Sequence, residues 1–111
     1  MSIEQEVRLY ARSDGAVPFS RWYQGLRDDS IRIRVRERLA RIRAGNFGDF
    51  QSVGGGVLEL RIPVGPGIRV YFGRQRDSVV ILLCGGDKNS QQRDIRRALF
   101  YWNDYRSRSN G

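Results

Sequence analysis

Residues 57–72 read VLELRIPVGPGIRVYF, two alternating runs that a Gly-Pro-Gly turn joins. A period of two between apolar and polar side chains is typical of β-strands with one buried face. If the loop is centred on Gly65, Arg61 lies opposite Arg69 and Glu59 lies opposite Tyr71, all on one polar face. The other face is apolar and carries Leu58, Leu60, Ile62, Ile68, Val70 and Phe72.

A third run, VVILLCGGDK at residues 79–88, ends in the only lysine of the chain, Lys88. If it pairs with residues 68–72 across a loop at residues 74–77, its end returns toward residues 65–67. This pairing places Lys88 at the same rim as Arg61 and Arg69. The Gly-Gly turn before Lys88 leaves backbone N–H groups accessible, which favours an anion site.

The rest of the chain supplies helices and short strands. Residues 3–11 alternate and predict a first strand. A helix is predicted from Pro18, and a second one runs from Asp29 or Ser30 to Gly45 with an apolar stripe at Ile31, Val35, Leu39 and Ile42. Further segments are predicted as strands 50–53, 57–62, 68–72 and 79–84 and a helix 90–106 capped by Ser90.

The order β-α-α-β-β-β-β-α predicts an α+β fold: a small antiparallel sheet, an N-terminal helical hairpin and a C-terminal helix. We expect a single domain at residues 1–105 and a polar C-terminal tail at residues 106–111, since 111 residues support one core. The only cysteine, Cys84, allows no intrachain disulfide and favours a cytoplasmic protein. No run is long and apolar enough to predict a membrane span.

The charge balance favours a polyanionic partner. The chain has 20 Lys+Arg against 12 Asp+Glu, a net charge of +8, and nearly all the cations are arginines. Such a surplus is typical of proteins that bind nucleic acid, although a high-GC genome produces the same arginine bias. Arg36 lies on an arginine-rich helix that is equally typical of a nucleic-acid face and of a solvated surface. Without histidine, acid–base chemistry must use Lys, Tyr, Asp or Glu.

The spaced motifs resemble one family over nearly the whole chain, the RelE/ParE superfamily of type II toxins, and within it the addiction-module killer proteins near the HigB-like branch. The motifs that carry the resemblance are Gly45-Asn46, Gly48-Asp49, Val53-Gly54, Gly56-Val57, Glu59-Leu60-Arg61, Gly65-Pro66-Gly67, Arg69-Val70-Tyr71-Phe72, Leu82-Leu83-Cys84-Gly85-Gly86-Asp87-Lys88 and Gln91.

The resemblance implies a toxin that cleaves translated mRNA on the ribosome and is neutralised by an antitoxin, expected to carry a helix-turn-helix. The RNA 2′-hydroxyl attacks the adjacent phosphate in that chemistry, so no metal or cofactor is implied. The implied catalytic residues are Arg69, which holds the phosphate, with Lys88, Arg61 and Tyr71, which stacks on a base or assists proton transfer. The residues predicted to bind substrate are Glu59, Asp87, Gln91 and Arg36.

The chain departs from the family at several positions. RelE carries lysines on the strand that corresponds to residues 57–59, where this chain has Val57 and Glu59, and related toxins often have an aromatic at Ile68. The general base stays open among Glu59, Asp87, Tyr71 or none. Two other functions also stay open: a ParE-like inhibitor of DNA gyrase, and an RNA-binding relic without activity.

Overall fold

A computed structural model of the chain describes residues 3–109. Within those residues the sequence forms five strands, three α-helices and a 3-10 turn at Lys88–Ser90. The predicted element order is confirmed. The elements are β1 (Glu6–Leu9), α1 (Pro18–Gln24), α2 (Asp29–Arg43), β2 (Phe50–Gly54), β3 (Val57–Ile62), β4 (Ile68–Gln75), β5 (Val79–Asp87) and α3 (Gln91–Ser109).

The strands form one sheet in the order β1-β5-β4-β3-β2, and the prediction that this sheet is antiparallel is wrong. The sheet is mixed, because β1 pairs with β5 in parallel, with Glu6 opposite Val79 and Leu9 opposite Leu82. Counting residues outward from a turn predicts the pairing only of strands that a short loop joins. β1 and β5 are instead separated by most of the chain. A parallel pair requires such a crossover.

The β3–β4 hairpin has the predicted register, whereas β4 and β5 are joined at residues 76–78 rather than by the predicted loop at residues 74–77. Arg61 lies opposite Arg69 and Glu59 lies opposite Tyr71 in the β3–β4 pair. In the β4–β5 pair, Arg69 lies opposite Gly86 and Ile68 lies opposite Asp87. Lys88, which follows Asp87, is therefore next to the first residues of β4, close to Arg69. Both strands run past their predicted ends, to Gln75 and Asp87.

Helices cover both faces of the sheet. The helical pair α1 and α2 packs on the face that carries Leu60, Ile62 and Phe72, with the predicted stripe of α2 buried against it. On the other face α3 packs through Ala98 and Trp102. The face that carries Glu59 and Tyr71 is therefore partly covered by α3, and the phosphate-site candidates lie around the N-terminal end of this helix.

The helix ends differ from the predictions by a few residues. The side chain of Asp28, rather than Asp29 or Ser30, caps α2 by accepting a hydrogen bond from the Ser30 N–H at 2.9 Å. Ser90, the predicted cap of the last helix, is the final residue of a 3-10 turn that Asp87 caps. The predicted end of the last helix at residue 106 is too early, because α3 continues to Ser109, where Arg108 bonds the Ala11 carbonyl at 2.6 Å. Residues 110–111 of the predicted tail lie outside the described residues.

Among residues 3–109, none of the helices has the length and apolar character that crossing a membrane requires.

Candidate functional site

A buried carboxylate, Glu59, organises the polar face of the β3–β4 hairpin. Its side chain is 0% exposed. One oxygen, Oε2, accepts hydrogen bonds from the Tyr71 hydroxyl at 2.9 Å and the Gln91 amide at 2.8 Å. The other, Oε1, accepts from the Gln51 amide and from Arg61 Nε, each at 3.3 Å. Four donors from four segments therefore converge on one carboxylate.

These contacts lower the pKa of Glu59 and raise the pKa of Tyr71. Burial by itself raises the pKa of Glu59, but hydrogen bonds from Gln91, Tyr71 and Arg61, together with the charge of Arg69, lower this pKa below its ordinary value of 4.5. Burial and the adjacent carboxylate raise the pKa of Tyr71 far above its ordinary range. Glu59 therefore stays an anion and Tyr71 stays a neutral hydrogen-bond donor.

Arg69 lies beside this carboxylate with only 15% of its side chain exposed. Its Nε is 3.9 Å from Glu59 Oε1, an ion pair that is longer than a hydrogen bond. Within the described part of the chain this Nε has no hydrogen-bond partner. The guanidinium is thus oriented by the charge of Glu59 without being fully bonded to it.

Gly67 brings Arg69 and Lys88 together at the rim. Its φ is +85°, and a Cβ at this position would lie 3.3 Å from Arg69 Nη1 and 3.5 Å from the Cβ of Lys88. Both side chains therefore flank the same glycine. A larger residue would be strained by the backbone angle and would crowd the guanidinium.

The rim carries more positive than negative charge. Arg61 and Arg69 pair with the buried carboxylate of Glu59, and Lys88 lies at the same rim across Gly67 from Arg69, next to the carboxylate of Asp87. The side chain of Arg61 is 38% exposed, and Lys88 is exposed. Lys88 is the first residue of the 3-10 turn, whose free N–H groups at Asn89 and Ser90 are capped by Asp87. The arrangement is suited to a phosphate group.

The structure changes the roles of several predicted site residues. Glu59 is too deeply buried to contact a substrate, and Tyr71, also 0% exposed, has no face on which a base can stack. Gln91 bonds Glu59. Asp87 accepts hydrogen bonds from the N–H groups of Asn89 at 2.8 Å and Ser90 at 3.2 Å, a capping role. Burial and capping thus explain why these side chains serve the scaffold.

Arg36 is the one predicted site residue that lies apart from the others. It is exposed on α2, which packs on the opposite face of the sheet from Glu59 and Tyr71. The structure does not bring Arg36 together with the other predicted site residues, because the sheet separates the two faces, and its contact with a substrate stays a prediction.

Each residue predicted as a candidate general base has a structural role in the fold. Glu59 is a fully bonded carboxylate with a lowered pKa, Tyr71 is a buried phenol with a raised pKa, and Asp87 caps the 3-10 turn. Residues 3–109 also hold no group of three or more His, Cys, Asp or Glu side chains with the spacing of a metal site. What the site offers is concentrated positive charge.

Sequence reasoning missed two residues that support the site. Gln51 lies opposite Glu59 in the β2–β3 pair, a register that the sequence signals only weakly because β2 is short and the register shifts between Ser52 and Gly54. Arg38, 8% exposed, donates to the carbonyl of Arg61 at 2.6 Å and to that of Phe47 at 3.2 Å. Nothing in the sequence separates Arg38 from its exposed neighbours on α2.

We expect the Glu59→Gln variant to lose less free energy of unfolding than the wild type as the pH falls from about 7 to about 3. Because the folded pKa of Glu59 is lowered, its ionised form contributes stability above the ordinary value of 4.5, and this contribution is lost as the pH falls through the folded pKa. Urea unfolding from about pH 7 to about pH 3 measures it. The exposed Glu37→Gln is the control; equal slopes for the wild type and Glu59→Gln would contradict the assignment.

Cys84 is expected to resist thiol reagents in the folded protein. It is 5% exposed, and burial raises the pKa of its thiol to about 12, so little thiolate forms at neutral pH. Labelling with a chromogenic disulfide should be slow under native conditions and complete in urea. Rapid native labelling would show that this end of β5 opens.

Comparison with known proteins gave one informative result. No protein-family model matches the chain. The chain is similar to an uncharacterized protein of Haemophilus influenzae (strain ATCC 51907 / DSM 11121 / KW20 / Rd), with 45% identity over 80 residues, which is 72% of this chain and 81% of that protein.

Proposed function

We propose that this chain, which belongs to the same family as the uncharacterized Haemophilus influenzae protein, is the toxin of a type II toxin–antitoxin module and cleaves mRNA on the ribosome. The observation that carries the proposal is the rim where Arg61 and Arg69 pair with the buried Glu59 and Lys88 flanks Gly67 beside Arg69. The resemblance of the spaced motifs to those of RelE/ParE toxins, and the net charge of +8, support it.

In the proposed reaction the RNA 2′-oxygen attacks the adjacent phosphorus and the bond from phosphorus to the 5′-oxygen breaks. The 2′-hydroxyl loses a proton, the leaving 5′-oxygen gains one, and a 2′,3′-cyclic phosphate remains. Negative charge accumulates on the phosphate oxygens in the transition state, and Arg69 and Arg61 stabilise it. Lys88, exposed at the rim, neutralises or protonates the leaving oxygen.

Glu59 acts as a positioning residue in this proposal. It orients Arg61 through a hydrogen bond at 3.3 Å and Arg69 through an ion pair at 3.9 Å. Tyr71 and Gln91 hold the carboxylate in turn, which ties the first turn of α3 to the hairpin. The guanidinium groups therefore face the phosphate without reorganisation, the condition under which fixed charges are most effective.

Induction of the chain in a bacterium tests the function. We expect new mRNA 5′ ends within translated codons by primer extension, and normal gyrase supercoiling measured in parallel. Intact mRNA with blocked supercoiling would contradict the proposal and favour ParE-like inhibition of gyrase. Intact mRNA, normal supercoiling and normal growth, with the protein shown to be folded, would favour an RNA-binding protein without catalytic activity.

The proposed partner is a cognate antitoxin with a helix-turn-helix. Co-expression of the product of an adjacent helix-turn-helix gene should restore growth and co-purify with this chain. Growth arrest that persists when the two proteins are present in equal amounts would contradict that pairing.

A further inference from the structure

The outer side of α3 carries a basic and aromatic surface that the proposed phosphate site does not use. We call it the α3 stripe; its residues are Arg93, Arg96, Arg97 and Phe100, and all four are exposed. They recur at spacings of three and four residues, so they lie on one face of the helix. The opposite face is the one that Ala98 and Trp102 bury against the sheet.

The α3 stripe is continuous with the rim. An open cleft of about 750 Å³ is lined by Lys88, Arg93 and Arg96. A second cleft, of about 460 Å³, is lined by Arg96, Arg97 and Phe100. Because Arg96 lines both clefts, one surface runs from Lys88 at the rim to Phe100. The seven residue steps from Arg93 to Phe100 span about 10 Å of the helix axis.

The stripe carries positive charge that the fold does not neutralise. Over residues 3–109, neither Arg96 nor Arg97 lies within ion-pair distance of a carboxylate. Arg93, nearer to the rim, is 3.8 Å from Asp94. The two guanidinium groups in the middle of the stripe are therefore available to an external anion.

The carboxylate in the second cleft is already engaged. Asp104 lines this cleft and accepts hydrogen bonds from the Tyr10 hydroxyl at 2.6 Å and from Arg108 at 2.7 Å. Both bonds go to the same oxygen, Oδ2, and tie the carboxylate to neighbours within the fold. Asp104 thus does not compete for the arginines of the stripe.

Phe100 adds an aromatic face beside these charges. It is 69% exposed, so its burial contributes little to the stability of the fold. Its ring meets Tyr101 in an edge contact, with the centroids 6.1 Å apart and the planes at 68°. Such a contact covers at most one face of the Phe100 ring. Tyr101 in turn stacks on Tyr10 at 5.0 Å, which holds the support of Phe100 in place.

We propose that the α3 stripe binds the single-stranded RNA that flanks the phosphate at the rim. One base stacks on Phe100, and the backbone phosphates beside it pair with Arg96 and Arg97. This inference rests on the proposed function, since it takes the strand at the rim to be RNA. It adds a binding subsite that holds the message at a distance from the bond that breaks.

The combination of ring and arginines favours a single strand over the other polyanions. A single strand presents unstacked bases and phosphates in alternation, and the stripe offers a partner for each. A duplex keeps its bases stacked inside the helix, so it would use the arginines alone. An acidic peptide would also pair with the arginines but carries no base for the ring of Phe100.

Binding of RNA in the absence of ribosomes tests the stripe separately from cleavage. The probe is oligouridylate of about twelve nucleotides, added to the purified full chain. In NMR titrations we expect amide chemical-shift changes along residues 93–100. Phe100→Leu keeps an apolar side chain but cannot stack, so it should weaken binding at least about fivefold. Phe100→Tyr keeps the ring and should bind like the wild type.

The salt dependence of binding tests the two arginines. Arg96→Gln combined with Arg97→Gln removes two phosphate contacts, so the slope of log K against log salt concentration should become shallower by about 1.4. Arg34→Gln combined with Arg41→Gln makes the same charge change on α2 and should leave the slope unchanged.

Several results would overturn the proposal: equal binding by Phe100→Leu and the wild type, an unchanged salt slope, or shifts located elsewhere. Tighter binding of an RNA hairpin without single-stranded ends would assign the stripe to duplex RNA instead. Stronger perturbation of the same amides by oligoglutamate would assign it to an acidic protein segment.

The same measurements distinguish failure of the stripe from failure of the nuclease. Oligouridylate bound at the stripe by a protein that leaves mRNA intact on ribosomes would contradict the nuclease and support the stripe. If the nuclease is active, Phe100→Leu should raise the toxin concentration for half-maximal cleavage and leave the rate at saturation unchanged. Cleavage with both quantities unchanged would contradict the stripe alone.

Discussion

Replacing Arg69 by alanine is expected to lower the rate of mRNA cleavage by about 100-fold to 1000-fold, the effect of removing one fixed donor to a developing negative charge. Arg69 is the cation most nearly enclosed by the site, with 15% of its side chain exposed and its Nε 3.9 Å from Glu59. The rate is measured on purified ribosomes carrying a defined mRNA, with toxin in excess.

Two further variants separate charge from geometry at this position. Arg69→Lys keeps the charge but loses the planar pair of donors, so we expect an intermediate rate. Arg41→Ala removes an exposed arginine from α2, on the other side of the sheet, and should leave the rate unchanged. Full activity of a folded Arg69→Ala protein would contradict the proposed role of the rim.

Trp102→Ala is expected to lower the free energy of unfolding by about 3–5 kcal/mol, the range for removing a buried aromatic side chain. Trp102 is 5% exposed and joins α3 to the sheet. Its ring covers Gly73, where a Cβ would lie 2.6 Å from Trp102 Cη2, and stacks on Tyr105 with the ring centroids 5.7 Å apart. Urea unfolding followed by circular dichroism measures the loss.

Phe100→Ala is the matched control, because it removes an aromatic from the same helix at a position that is 69% exposed. It should change the free energy of unfolding by no more than about 0.5 kcal/mol. If the two variants were equally stable, the packing of α3 through Trp102 would not be what holds the helix to the sheet.

The β3–β4 hairpin was predictable because three local signals agree: alternation, a Gly-Pro-Gly turn and a short loop. Together they determine which residues face each other, so the pairings of Arg61 with Arg69 and Glu59 with Tyr71 follow from counting. For β5 only the pairing with β4 and the return of its end toward the rim were predictable, since the loop lies at residues 76–78 and a bulge between Tyr71 and Phe72 shifts the register. The apolar stripe of α2 was equally predictable, because its residues recur at helical spacing.

Long-range packing was not predictable from local pattern. The parallel pairing of β1 with β5 joins segments more than 70 residues apart, and no turn signals it. Tyr10, on the polar side of the alternation, is 1% exposed because Tyr101 of α3 stacks on its ring and Asp104 accepts a hydrogen bond from its hydroxyl. The burial of Glu59 has the same origin, since α3 covers the face that would otherwise be solvent-exposed.

The most direct test of the central claim uses an mRNA with one 2′-deoxynucleotide at the mapped cleavage position, presented on translating ribosomes. The account predicts that the all-ribose mRNA is cleaved to a 2′,3′-cyclic phosphate and that the 2′-deoxy mRNA stays intact at that position. Cleavage of both messages at the same rate, or of neither by the folded wild-type protein, would contradict it.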